Sequence, residues 1–259
     1  MLENLRELYQ YRALLWALTV RELVVRYRGS VFGFLWTFFN PLLLMMVYNL
    51  VFSVYMRSSL PNYAYFMFVS LLPWLWFATS FNAGTSAISD RRDLISKVKF
   101  PPQILPMTVI ASALSNYILT LPLLVGFAAY RGVPLGWPLL AFPLVLGVQL
   151  MFTVGLVYVT STINVMFRDL QHIVSSISTL WFFVTPIVYS LDQVPEQYQK
   201  LVLALNPMAV LVVAQQDIWY HNRVPHPRAL AGVIVVSLVL FTIGSLFMAY
   251  RREDFAETA

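Results

Sequence analysis

Two kinds of residue are scarce in this 259-residue sequence: cysteine is absent, and only 11% of the residues are charged. The absence of cysteine excludes disulfide bonds, thiolate catalysis and cysteine-ligated metal centres. Soluble domains carry about 25% charged residues, so a chain with 59% hydrophobic residues could not keep its surface in water. The composition therefore indicates an integral membrane protein.

Charge is also missing from the long apolar stretches. Runs of 18 or more apolar residues are typical of transmembrane helices, because about 20 residues at ~1.5 Å each cross the hydrocarbon layer. A seventh apolar run, 201–214, has only about 14 residues and contains Asn206-Pro207, which favours a re-entrant segment over a crossing. Six runs without Asp, Glu, Lys or Arg are long enough to span: 31–56, 63–89, 104–130, 135–167, 170–191 and 229–250.

The predicted spans also lack the groups that catalysis or ion coupling would need. Ion-coupled carriers usually have ionisable residues at membrane depth, and intramembrane enzymes need a base, a nucleophile or a metal ligand. The chain has no H-E-x-x-H, no G-x-S-x-G and no G-x-x-x-x-G-K-[ST] phosphate loop. We therefore expect a chain that is not an enzyme and holds no metal or cofactor. Uphill transport would then need energy from a separate subunit.

The charges that are present are mostly positive and unevenly placed. The net charge is +5, which in a membrane protein sets orientation and contacts lipid head groups rather than nucleic acid. With six spans and the N-terminus inside, twelve Lys and Arg lie on the cytoplasmic side and five on the outer side. This bias predicts that both termini are cytoplasmic. The count stays the same if 201–214 crosses, so re-entrance rests on length and the internal proline.

Two charged stretches could dock an energy-supplying subunit. Residues 1–28 alternate apolar and charged positions, which predicts an amphipathic helix on the membrane surface, with Glu22 spaced to pair with Arg26. Residues 89–102 join the second and third spans, and their acidic residues favour a protein partner over anionic lipid. The alternative is that these charges only anchor helix ends at lipid head groups. The candidate docking residues are Arg26, Tyr27, Arg28, Asp90, Arg91, Arg92, Asp93, Leu94 and Lys97.

Ordered motifs resemble the membrane subunit of ABC-2 type polysaccharide exporters, and within that family the permease of lipopolysaccharide O-antigen exporters. The resemblance runs from Arg21 to Asn206-Pro207 and rests on three stretches: RYRGSVFGFLWTFFNPLL, LISKVKFPPQILP and FRDLQHIVSSISTLWFFVTPIVYS. It implies an all-helical fold of six spans with an N-terminal interface helix and a re-entrant segment before the last span. By position, these parts are 1–28 (interface helix), 29–191 (spans one to five), 192–228 (re-entrant segment) and 229–259 (sixth span and cytoplasmic tail).

The resemblance also implies partners and a location. Such subunits form homodimers in the bacterial inner membrane, and two nucleotide-binding subunits with ATP and Mg dock on them from the cytoplasm. The cargo is a lipid-linked polysaccharide. Other cargoes, such as teichoic acid, capsular polysaccharide or a small drug, remain open. A membrane-embedded glycosyl or acyl transferase would need a carboxylate or histidine at membrane depth, and none is visible in the predicted spans.

Aromatic and hydroxyl side chains recur at helical spacing in two spans. Rings stack on the C–H faces of sugars, and hydroxyls exchange hydrogen bonds with them, so such stripes suit a sugar channel. Packing or interfacial belts are the alternative. A kink at Pro41 could re-aim the two halves of the first span. The candidate channel residues are Ser178, Phe182, Thr185 and Tyr189, at i, i+4, i+7 and i+11 on one predicted helical face, and Phe32, Trp36 and Phe39 in the first span.

Overall fold

The computed structural model describes residues 2–57, 60–91 and 100–251, which form α-helices and short helical turns but no β-strand. Short 3₁₀ or π turns occupy Gly33–Leu35, Leu50–Tyr55, Ser89–Arg91, Trp137–Ala141 and Leu191–Gln193. The α-helices of these residues are α1 (Leu2–Gln10), α2 (Arg12–Tyr27), α3 (Trp36–Asn49), α4 (Tyr63–Ser86), α5 (Ile104–Arg131), α6 (Phe142–Met166), α7 (Leu170–Val184), α8 (Glu196–Leu205), α9 (Pro207–Trp219) and α10 (Pro227–Tyr250).

Helix length and hydropathy agree with a multi-pass membrane protein. Within the described residues, five helical stretches are long and apolar enough to cross a membrane, and they contain α3, α4, α5, α6 and α10. The helices α8 and α9 form an apolar pair bent by 109°. The predicted all-helical membrane fold, with an N-terminal helical segment and a bent pair before the last span, is confirmed.

The fifth predicted span, 170–191, is wrong as a continuous helix. The helix α7 has 15 residues, so it is about 22 Å long, and it ends at Val184. Thr185 precedes Pro186 and takes an extended backbone conformation (φ −89°, ψ 135°), as the proline ring disfavours the helical region for the residue before it. The polypeptide continues through 185–190 as turns and bends.

The helix α4 forms the centre of the bundle. In its most apolar window 83% of the residues are buried, compared with 17% in the stretch containing α3 and 28% in α10. It packs on α3, α5, α6, α7 and α9. Large rings such as Tyr65, Phe66 and Phe77 are completely buried along it. The helices α3, α5, α6, α7 and α9 thus share α4 as a common packing partner, whereas α10 packs mainly on α6 and α2 packs mainly on α5.

Small residues allow the closest helix crossing and the entry into the first span. A Cβ atom on Gly155 of α6 would lie 2.5 Å from the Phe241 backbone nitrogen of α10, so only glycine permits this approach. At the other place, Gly29 and Gly33 have positive φ angles (78° and 47°) between α2 and α3. A left-handed conformation there lets the chain turn from the N-terminal helix into the first span.

Contacts near the two termini of α4 define the two ends of the helical bundle. Near the start of α4, the Tyr65 hydroxyl donates to the Trp219 carbonyl of α9 at 3.0 Å. Just beyond its last residue, the Arg91 guanidinium contacts the Glu22 carboxylate of α2 at 2.5 Å. We call these the hairpin end, after the α8–α9 pair, and the α2 end.

Candidate functional site

The α2 end brings the two candidate docking stretches together. Glu22 pairs with Arg91 and not with Arg26, so the predicted Glu22–Arg26 pair is wrong: the carboxylate reaches across to the segment after α4. Asp90 accepts a hydrogen bond from Ser86 Oγ at 2.6 Å. Four further docking candidates, Arg92, Asp93, Leu94 and Lys97, lie outside the described residues.

The remaining docking candidates surround the end of α2. Arg28 is the exposed residue that follows the helix, with an extended backbone. The Tyr27 hydroxyl accepts a hydrogen bond from Thr37 Oγ1 at 2.8 Å, which links α2 to α3. Arg26 is exposed on the last turn of α2. These roles in docking stay predictions.

Asn164 connects the α2 end to the start of α7. This side chain is 1% exposed. Its Nδ2 donates to Ser89 Oγ at 2.7 Å, and its Oδ1 accepts from the Gln171 backbone nitrogen at 3.1 Å. Residue 89 is therefore linked to the first turn of α7 through the side chain of Asn164.

The aromatic candidates of the first span form one cluster. The rings of Phe32, Trp36 and Phe39 meet edge to face, with centroids 5.6 to 6.2 Å apart. Phe32 and Phe39 are exposed on the surface of the single chain. The sequence correctly predicts that these three residues share a face, and their role in a channel stays a prediction.

Two of the predicted channel residues on α7 line a cleft between α3, α4 and α7, which we call the α7 cleft. Its volume is about 320 Å³. Phe182 stacks on Tyr48 of α3 with centroids 5.6 Å apart, and Trp74 of α4 meets Phe182 edge-on at 5.8 Å. Ser178 Oγ donates to Asn82 Oδ1 at 3.4 Å. The walls thus combine rings, hydroxyls and an amide, and no charged residue lines them among those the structure describes.

Thr185 and Tyr189 do not continue the helical face of Ser178 and Phe182, so the predicted four-residue stripe is wrong in its second half. The reason is the end of α7 before Pro186. Thr185 is completely buried, and its Oγ1 donates to the Trp181 carbonyl at 2.8 Å. The Tyr189 hydroxyl donates to the Phe183 carbonyl at 3.1 Å. Neither residue lines the α7 cleft.

Asn206, at the bend between α8 and α9, forms hydrogen bonds with the C-terminal end of α7. Its Oδ1 accepts hydrogen bonds from Trp181 Nε1 at 2.8 Å and from the Ala209 backbone nitrogen at 3.0 Å. Its Nδ2 donates to Thr185 Oγ1 at 3.0 Å. The residue is 5% exposed. One side chain therefore caps α9 and holds the end of α7 against the hairpin.

Gln216 of α9 supports the broken chain after α7. Its Nε2 donates to Ser70 Oγ of α4 at 2.9 Å and to the Pro186 carbonyl at 2.7 Å. The Tyr63 hydroxyl donates to the Val188 carbonyl at 2.7 Å. Backbone oxygens of the non-helical segment thus find donors from α4 and α9, as burial in a membrane protein requires.

An ion pair closes the far end of α9. Arg223 Nε lies 2.6 Å from Asp217 Oδ1, and the carboxylate side chain is 7% exposed. Burial raises the pKa of Asp217, and this effect exceeds the lowering by the hydrogen bond and charge of Arg223. Burial and the Arg223 charge lower the pKa of the neighbouring His221. A buried carboxylate, a guanidinium and an imidazole thus lie together at the hairpin end.

The amide residues that hold α7 are not among the site residues predicted from the sequence. The signal was available, because Asn82, Asn164 and Asn206 interrupt otherwise apolar helical runs, where an amide needs a hydrogen-bond partner. Their partners are distant in sequence, so spacing alone could not identify them. In the part of the chain that the structure describes, no group of three or more His, Asp and Glu residues is arranged to hold a metal ion.

Comparison with known proteins identifies the family. The ABC-2 type transporter family matches residues 13–220. The O-antigen export system permease protein RfbA of Myxococcus xanthus is 51% identical over 259 residues, which cover both chains completely. A Klebsiella pneumoniae protein of the same name is 32% identical over 94% of each chain, and the polysialic acid transport protein KpsM of Escherichia coli is 25% identical over 92% of each. The chain therefore belongs to the ABC-2 type transporter family.

Proposed function

We propose that this chain is the channel-forming permease of an ATP-driven exporter that moves lipid-linked O-antigen polysaccharide across the bacterial inner membrane. The α7 cleft is the observation that carries the proposal. A sugar polymer needs a path that is neutral and offers rings and hydroxyls without a strong binding charge. Tyr48, Phe182 and Ser178 provide such groups beside one another. The full-length similarity to O-antigen permeases supports this cargo.

A homodimer would complete the path. The α7 cleft is bounded by α3 and α7, and both helices expose apolar side chains, among them Met46, Val47 and Leu180. A second apolar groove of about 390 Å³ lies between α7 and α8, lined by Ile177 and Leu205 among others. Two copies that face each other through α3 and α7 would enclose the cleft between them. This arrangement gives each copy one wall of a shared channel.

The energy comes from two nucleotide-binding subunits, which bind ATP and Mg, docked at the α2 end. This end faces the cytoplasm together with both termini, in agreement with the bias of Lys and Arg. The contacts suggest how force reaches the channel. The Glu22–Arg91 pair joins α2 to the segment after α4, and Asn164 joins that segment to α7. A push on the docking residues therefore moves the helix that carries Ser178 and Phe182.

Reconstitution tests this function. Proteoliposomes that contain the chain and its nucleotide-binding partner should translocate lipid-linked O-antigen only when ATP is supplied. Phe182→Ala should lower translocation while ATP hydrolysis continues, because it removes the ring that stacks on Tyr48. Phe241→Ala is a matched control, as Phe241 is only partly buried on α10 and does not line the cleft. Translocation by the chain alone, without any ATPase, would contradict the proposal.

A capsular polysaccharide is the second candidate cargo, because the polysialic acid transport protein of Escherichia coli is also similar to this chain. The two cargoes can be compared in the same vesicles. If acidic capsular polymer moves and lipid-linked O-antigen does not, the cargo assignment changes while the exporter assignment stays. The higher identity to the O-antigen permeases favours O-antigen.

A further inference from the structure

The turn between α2 and α3 leaves the direction of α3 to side-chain contacts. Residues 28–35 join the two helices, and Gly29 and Gly33 have positive φ angles in this turn. Glycine restricts the backbone least of all residues, so the turn by itself defines the angle between the helices poorly. The two helices also pack mainly on different neighbours, α2 on α5 and α3 on α4. Direct links between α2 and α3 therefore have to come from side chains that reach across the turn.

Tyr27, the last residue of α2, is a side chain that reaches across. Thr37 Oγ1 of α3 donates to the Tyr27 hydroxyl at 2.8 Å, and this hydroxyl donates to Asn116 Oδ1 of α5 at 3.5 Å. The Tyr27 ring also meets Phe34 of the turn edge to face, with centroids 6.2 Å apart. One phenol group thus links α2, α3 and α5.

Thr37 uses its hydroxyl differently from several other buried threonines. A threonine in a helix can donate to the carbonyl four residues earlier, and Thr85, Thr108 and Thr153 do so. Thr37 is 6% exposed, yet its Oγ1 donates to Tyr27 instead of to its own helix. Its hydroxyl therefore serves a contact between helices, which valine could not make.

The helix α3 carries this contact to the α7 cleft. Thr37 lies in its first turn and Tyr48 in its last turn. The two residues are separated by about 16 Å along the axis and by about three full turns, so they lie on nearly the same side of the helix. Tyr48 stacks on Phe182 of α7. A change in the direction of α3 at Thr37 would therefore displace the ring that stacks on Phe182.

We propose that Tyr27 is a positioning residue, whose hydroxyl fixes the direction of α3 relative to α2 and α5 and thereby the place of Tyr48 in the α7 cleft. Without this hydroxyl, α2 stays packed on α5, but α3 is released at the glycine turn. Asn164 links the α7 wall of the cleft to the α2 end, and Tyr27 links the α3 wall to the same end. A docked subunit that moves α2 would then move both walls, and only this last consequence rests on the proposed function.

Distance measurements by electron paramagnetic resonance on the purified full chain test the proposal. The sequence contains no cysteine, so spin labels attach only to introduced ones. Ala17→Cys on α2 and Met46→Cys on α3 place two labels at exposed positions. In this background Tyr27→Phe keeps the ring and removes both hydrogen bonds of the hydroxyl. The population of distances outside the wild-type peak should rise about fivefold for each hydrogen bond lost.

Variants of the partner residue repeat the test from the other side of the hydrogen bond. Thr37→Val removes the donor with little change of shape and should give the same added distances. Thr37→Ser keeps a hydroxyl and should give the wild-type distances. Tyr11→Phe is the matched control, because the Tyr11 hydroxyl has no hydrogen-bond partner among the described residues.

A second label pair distinguishes release of α3 from a general loss of structure. Ala17→Cys with Ile118→Cys, an exposed residue of α5, should keep its distance when Tyr27→Phe is introduced. An equal change in this pair would overturn the proposal, because the whole bundle would then have loosened. Unchanged α2–α3 distances in Tyr27→Phe and Thr37→Val, or the same change in Tyr11→Phe, would also overturn it.

Transport in vesicles tests the consequence for the channel separately. Thr37→Val leaves the candidate docking residues intact, so ATP hydrolysis should continue while less polysaccharide moves per ATP, and Thr37→Ser should restore the ratio. Equal ratios in wild type and Thr37→Val would show that Tyr27 does not position the channel wall. Failure of the wild-type complex to export polysaccharide would contradict the proposed function, whereas the measured distances would still decide whether Tyr27 holds α3.

Discussion

The helix α7 is held at both ends by an asparagine, but the two attachments differ in the number of groups that they join. At the α2 end, Asn164 makes two hydrogen bonds, to Ser89 and to the backbone of Gln171. At the hairpin end, Asn206 contacts Trp181, Thr185 and the backbone of α9. The hairpin end is a closed network, whereas the α2 end is a single bridge. The comparison suggests a firm attachment at one end and a transmitting contact at the other.

The hairpin attachment should give the largest effect when it is removed. Asn206→Leu leaves Trp181 Nε1 without its acceptor at a buried site and removes the side-chain cap of α9, while Thr185 Oγ1 keeps its hydrogen bond to the Trp181 carbonyl. An unsatisfied buried donor costs about 1–3 kcal/mol and a lost cap about 1 kcal/mol, so we expect a loss of about 3 kcal/mol in the free energy of unfolding. Denaturant unfolding of the purified chain, followed by tryptophan fluorescence, measures this loss.

A matched variant separates burial from bonding at this position. Asn49→Leu changes a half-buried asparagine of α3 that has no hydrogen-bond partner among the described side chains. This variant should leave the free energy of unfolding nearly unchanged. If both variants lose the same stability, Asn206 does not act through its network.

The bridge at the α2 end should affect coupling more than stability. Asn164→Leu removes both hydrogen bonds of the side chain, and we expect about 2 kcal/mol of lost stability. Its distinguishing result is functional: the partner subunits should still hydrolyse ATP while translocation falls, because α7 no longer follows residues 89–91. Parallel ATPase and translocation assays on the same vesicles measure the ratio.

Gln171→Ala provides the control for the bridge. Asn164 accepts from the Gln171 backbone nitrogen, which this substitution retains. Coupling should therefore be unchanged. A proportional fall of ATP hydrolysis and translocation in Asn164→Leu would show that the bridge does not transmit motion.

The stability of the hairpin end should depend on pH, because the pKa values of Asp217 and His221 are shifted there. The pKa of Asp217 is raised above its ordinary 3.8, so the stability that it contributes is present at low pH and is lost as pH rises through the raised pKa. The pKa of His221 is lowered below 6.5, so its contribution is present above 6.5 and is lost as pH falls through the lowered pKa. Arg223 and Asp192 are the other charges that act on these two groups.

Thermal unfolding measured between about pH 4 and pH 7 can separate the two opposing effects of pH on stability, one from Asp217 and one from His221. Asp217→Asn should remove the gain of stability on acidification, and His221→Gln should remove the loss. Asn164→Leu should show the same pH dependence as the wild type, as its site lies at the other end of α7. Unchanged slopes in both hairpin variants would contradict the assignment.

The smallest effect should come from the ion pair at the α2 end. Arg91 and Glu22 are each about one-third exposed, with side chains 30% and 32% accessible. Solvent screening limits such pairs to about 0.2–1 kcal/mol. A double-mutant cycle of Glu22→Gln and Arg91→Gln should give a coupling energy in that range. The cycle of Glu22→Gln with Arg26→Gln should give a smaller value, as the structure pairs Glu22 with Arg91 instead. The reverse ranking would restore the pairing that the spacing predicts.

The effect of each proline on its helix could not be predicted from the sequence alone. Pro41 lies inside α3 and Pro73 inside α4, and both helices continue past them, but Thr185-Pro186 ends α7. The three positions look alike in a run of apolar residues. They differ in surroundings, because Gln216 supplies a donor to the Pro186 carbonyl after the break. A local rule cannot reveal a donor that is 30 residues away.

The sequence by itself determined the membrane class, the spans apart from the length of α7, the bent pair before the last span and the family resemblance. These properties follow from composition, run length and ordered motifs, which are local. Only the tertiary structure decided that Glu22 pairs with Arg91 and that Thr185 is buried in an amide network. These depend on which helices become neighbours, because a buried polar group takes whatever partner packing brings to it.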